Sequence, residues 1–111
     1  MAPANQKVVE NAKLADLWRE HQVAPFPYSC LKLALAGTPL VKIDAEAGAC
    51  LTASLRTDGV PRALPPERRA SLSRCLERIA QVLRETSLDP DGRAYFERLE
   101  KLSEAVLAVK G

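Results

Sequence analysis

Apolar side chains recur along most of this chain at the spacing of a helix surface, broken by one stretch in which they alternate. Between residues 5 and 21, Val8, Ala12, Ala15 and Trp18 fall at i, i+4, i+7 and i+10, with Val9, Leu14 and Leu17 widening the stripe. That pattern predicts an amphipathic helix. Asn5 is suited to cap it. Pro25 and Pro27 end it, because proline lacks a backbone donor and biases its predecessor away from helical geometry. The period then shifts to two. Leu31, Leu33 and Leu35 alternate with Lys32 and Ala34, and Val41 and Ile43 flank Lys42, with the turn formers Ala36-Gly37-Thr38-Pro39 between. A β-hairpin is the expectation here, with a helix through 29–36 as the competitor, since leucine and alanine are weak strand formers.

Helical spacing returns after the hairpin. Asp44 reads as the cap of a short helix over about 45–57 that ends at Asp58-Gly59. Its inward face is Ala47, Cys50, Leu51, Ser54 and Leu55, and Gly48 inside it would allow close backbone approach. From Pro66 to about Glu85, Leu72, Cys75, Leu76, Ile79, Val82 and Leu83 share one face. The last helix, about 90–109, opens on Asp89-Pro90-Asp91, an N-cap followed by proline and an acid at the positive dipole end. It turns Tyr95, Phe96, Leu99, Leu102, Val106 and Val109 inward. The predicted fold is mainly α, with α+β as the variant: four helices and a small β-hairpin after the first. The prediction is one compact domain over 1–111, with residues 1–25 available as an oligomerisation or partner arm.

Composition narrows the class. A chain of 111 residues with 47% hydrophobic and 27% charged side chains suits a soluble domain large enough to bury a core without staples. The net charge of +2 argues neither for nucleic acid nor for an acidic membrane. Residues 1–7 hold no apolar signal segment, no run approaches a membrane span, and three cysteines do not make a disulfide scaffold. Together these predict a cytoplasmic protein in a reducing compartment.

Candidate chemistry is thin. Catalysis by Cys30, Cys50 or Cys75 would need a base, and His21 is the single histidine. Cys50 and Cys75 sit on apolar faces, where cysteine behaves as a small hydrophobe. Cys30, nearest the loop, is the thiol left for a cysteine-dependent enzyme, with rapid alkylation as its mark. A zinc site from the three cysteines and His21 fails on spacing. The carboxylate pairs Asp44/Glu46 and Asp89/Asp91 read as caps rather than acid–base pairs. No cofactor and no metal are implied, and a non-enzymatic role is expected.

Arginine is the stronger signal. Arg68, Arg69, Arg74 and Arg78 could track phosphates along one helix, but the acids interleaved with them favour an ion-paired, solvated surface. Arg68-Arg69-Ala70-Ser71-Leu72 also matches a basophilic kinase site at Ser71, against the reading of an ordinary early-helix serine. Pro25-Phe26-Pro27-Tyr28 places two aromatics in a stiff loop, as plugs between hairpin and first helix or as a partner-contacting edge.

Ile43-Asp44-Ala45-Glu46-Ala47-Gly48-Ala49-Cys50, then Arg74-Cys75-Leu76 with Ile79 and Leu83, then Ala94-Tyr95-Phe96 with Arg98, Leu99 and Leu102, resemble a group of short helical proteins from high-GC bacterial genomes. The resemblance spans residues 26–106 and implies a hydrophobic strand, an Asp-capped helix carrying a cysteine and two terminal helices. It implies no activity. The functional expectation is a small protein–protein interaction or accessory module, homodimeric through a free hairpin edge. Trp18, Phe26, Tyr28 and Leu33 are its contact candidates. A nucleic-acid-binding regulator is the alternative, and a small cysteine-dependent enzyme the second alternative.

Overall fold

The computed structural model describes residues 3–110, with side chains from Ala12 onward. Four helices account for most of it: α1 (Pro3–Val23), α2 (Leu40–Leu55), α3 (Pro66–Glu85) and α4 (Pro90–Leu107). A two-stranded antiparallel hairpin, β1 (Ala34–Leu35) and β2 (Thr38–Pro39), follows the first helix. The fold is thus mainly α with the small hairpin where the alternating stretch put it. The Asn5, Val8 and Val9 side chains of the expected cap and stripe lie outside the described ones, and α1 begins at Pro3, ahead of Asn5.

The hairpin is shorter than its sequence pattern. Val41 and Ile43 belong to α2, not to a second strand. On one strand face they would be buried together, yet Ile43 is fully buried while Val41 is 42% exposed. Leu40, Ile43, Ala47, Cys50, Leu51, Ser54 and Leu55 form one buried helical face. The helix therefore starts at Leu40 behind Pro39, with no side-chain cap. Asp44, expected as that cap, sits one turn inside. Gly48, expected to admit a close backbone, has nothing within 4 Å of where a Cβ would stand. The competing helix through 29–36 is reduced to a single 3-10 turn, Tyr28–Cys30.

The two later helices follow their patterns. α3 spans the expected residues and buries Leu72, Cys75, Ile79 and Val82, but Leu76 stays half-buried, outside the core. At the start of α4 the Asp89 carboxylate accepts from the Gly92 amide at 2.8 Å. Tyr95, Phe96, Leu99, Leu102 and Val106 are buried, and Val109 lies past the helix end. α2, α3 and α4 pack on one another, and α1 lies against α4. The α2–α3 loop is pinned from within: Ser54 Oγ donates to the Arg62 carbonyl at 2.6 Å and accepts from its amide at 2.9 Å.

Candidate functional site

A polar network lies where the end of α1, the start of α4 and the second turn of α2 meet. Helical spacing puts Tyr95 and Arg98 on one face of α4, so that the guanidinium lies 5.4 Å from the ring centroid, a cation–π distance. Arg98 Nε donates to His21 Nδ1 at 2.9 Å, and its terminal nitrogen reaches Glu20 at 3.4 Å. Tyr95 Oη donates to Asp44 Oδ1 at 2.8 Å. The His21 and Tyr95 ring centroids stand 4.7 Å apart.

Burial sets the charges in this network. His21 is 8% exposed, and desolvation, with Arg98 as the second cause, lowers its pKa from 6.5 to about 4. At neutral pH the imidazole is therefore uncharged, with its proton on Nε2, because Nδ1 is occupied as an acceptor. Burial also raises the Asp44 carboxyl, opposed by the Tyr95 hydrogen bond. The same desolvation, with Asp44 next, raises the Tyr95 phenol. An imidazole this hard to protonate is a poor general base near neutrality. The network works as a brace that ties α1 and α2 to α4.

The brace supports a loop. Phe26 packs edge-on against Tyr95 and Phe96 at 5.5 and 6.1 Å, and Pro27 and Cys30 are buried beneath it. Cys30 accounts for part of this anchoring: a Cβ on Gly92 would stand 2.9 Å from its Sγ, so glycine there lets the thiol seat under the first turn of α4. With Phe26 and Cys30 held inward, the 3-10 turn aims Tyr28 and Leu31 outward, 88% and 50% exposed. Beside them lies a groove of about 570 Å³ lined by Pro25, Phe26, Tyr28, Leu31, Asp91 and Arg98, among others.

Of the four expected contact residues, only Tyr28 faces outward without reservation. Trp18 is 4% exposed, and its indole N–H donates to the Arg56 carbonyl at 2.9 Å, so it holds α1 rather than a partner. Phe26 is the aromatic plug, seated on α4. Leu33 is half-buried against the core, and its carbonyl accepts from the Leu40 amide at 2.9 Å. Leu31, which the alternating pattern assigned to a strand, joins Tyr28 instead.

The arginine row is divided. Arg69 donates to the Leu107 and Val109 carbonyls at 2.6 and 3.0 Å, capping the end of α4. Arg78 stands 3.7 Å from Glu46. Arg68 and Arg74 remain exposed, and Ser71 is half-buried. The thiols are all free and buried. Cys30, expected near the surface, is fully buried, and burial raises its pKa. Burial, with Glu46 second, pushes Cys75 up to about 11. Such thiols are slow nucleophiles. Among the described residues no group of three or more His, Cys, Asp or Glu side chains could hold a metal ion, and no helix is long and apolar enough to cross a membrane.

No protein-family model, curated protein or solved structure matches the chain.

Proposed function

We propose that the chain is a small protein-interaction module of the reducing cytoplasm, and that it self-associates through the surface displayed by the Pro25–Leu31 loop. The observation that supports this is Tyr28, 88% exposed on a turn whose neighbours Phe26, Pro27 and Cys30 are held inward. A large aromatic side chain presented on a rigid base, beside an apolar groove, is the form of a binding anchor. Three buried free cysteines suit the proposed compartment.

The choice of a second copy rests on charge. Lys32 and Asp91 are both exposed and flank Tyr28 and Leu31. A two-fold contact places the acid of each copy against the base of the other around an apolar centre, which is the self-complementarity an isologous interface requires. Extension of the hairpin, the other route to a dimer, has little to offer: its strands are two residues long, and Pro39 in β2 has no amide hydrogen to donate. Sedimentation velocity on the full chain, from low to high micromolar concentration, tests the proposal. A concentration-dependent dimer is expected, weakened at least about tenfold in a Tyr28→Ser/Leu31→Ser variant. A monomer at every concentration overturns self-association.

A further inference from the structure

We propose that the groove between α1 and α4, at the opposite end of α4 from the Tyr28 surface, binds a free medium-chain fatty carboxylate. Leu14 and Leu17 of α1 form one wall, Ala105 of α4 the other, and Pro61 of the α2–α3 loop closes one side. Both leucines pack against the core yet remain only partly buried, so their outer surfaces stay wet unless something covers them. The open space measures about 380 Å³, at the small end of ligand sites, which run roughly from 300 to 1,000 Å³.

The chemistry of the lining selects the ligand. Among the described residues, the charged side chains that line it are Lys13 and Lys101, one from each wall, with no acid in that lining. Neither lysine forms an ion pair among the described residues. Lysine stems lie along apolar surface while the ammonium stays in water, so the site offers a positive rim over an aliphatic floor. Among the described residues no aromatic ring lines it to stack on a planar ligand. Apart from the two ammonium groups, no lining side chain among the described residues carries a hydrogen-bonding group that could read a sugar or a base. A flexible alkyl chain with one anionic head satisfies every feature. The small Ala105 side chain on the α4 wall keeps the groove open.

Isothermal titration calorimetry with sodium octanoate and decanoate, below their micellar concentrations, tests this on the full chain. Saturable binding is expected, tighter by about fourfold for decanoate, the increment for two half-buried methylenes. Ala105→Trp, which fills the groove from the α4 wall, should abolish it. Lys13→Glu/Lys101→Glu, confined to the exposed rim, should weaken it about tenfold by replacing attraction with repulsion, with helical circular dichroism unchanged. Equal binding of decyltrimethylammonium, indifference to the rim charges, or no saturable heat with decanoate would each overturn the proposal. So would binding to phosphatidylglycerol vesicles without binding to free decanoate.

Discussion

His21 shows how far a single residue's surroundings can displace its chemistry. In the unfolded chain it takes up a proton near pH 6.5; in the fold it does so only near 4. Between those values the unfolded state carries more protons, so the protein loses stability as pH falls from 6.5 towards 4 and gains it back as pH rises. The shift is equivalent to about 3 kcal/mol at most. Asp44 acts with the opposite sign. Its raised pKa means the folded state holds a proton longer, which removes stability as pH climbs through the carboxylate range. Urea unfolding at a series of pH values should show the histidine slope, and His21→Phe, which keeps a ring against Tyr95, should flatten it. An identical slope in the variant would assign the effect to another group. Little of this network was legible in the sequence. Tyr95 belongs to an apolar stripe and is buried as the stripe requires, but its hydroxyl bonds to a residue 51 positions away. Only the packing of α2 on α4 creates that pairing. The nearest local sign is the Tyr95–Arg98 spacing of three, which makes the two side chains neighbours on a helix surface.

At the scale of elements, signals confined to neighbouring residues were the reliable ones. Asp89-Pro90 starts α4 because the cap bond needs only Gly92, three residues on. Pro66 and the stripe behind it define α3 in the same way. Val41-Lys42-Ile43 fits both periods, so the pattern alone places the start of α2 too late, and what decides is burial: Leu40 and Ile43 complete the face that Ala47 and Leu51 continue. The hairpin survives as a turn with the smallest possible strands. Its central residues, Ala36 and Gly37, have φ of 48° and 85°, the left-handed pair that a tight hairpin turn demands and that Asn-Gly accommodates best. Alanine is strained there. Ala36→Asn should therefore stabilise the protein by about 0.5–1 kcal/mol, read as a raised midpoint of chemical unfolding; a lowered midpoint would mean the turn is not held in this form.

For the whole molecule, the arrangement turns on how α1 is attached. Gly59 is central to it. Its φ is +72°, and a Cβ at that position would stand 2.7 Å from the Ala15 Cα, a backbone atom that cannot step aside. Gly59→Ala should cost more than about 2 kcal/mol, from strain and overpacking together, and thermal unfolding would record it; a loss of a few tenths would show that the loop can yield. In the sequence Gly59 marks only the end of a helix, because nothing local to it signals that α1 passes over it. Trp18 closes the same contact from the other side, donating to the carbonyl of Arg56, whose own φ of 50° is unusual for a non-glycine residue. The chain contains one tryptophan, so its intrinsic fluorescence is a local gauge of this seam. Release of α1 would expose that indole to water and shift its emission to the red even while the other three helices kept most of the ellipticity. Comparing the two optical signals along one denaturation curve would show whether the first helix and the three-helix body melt together or in sequence.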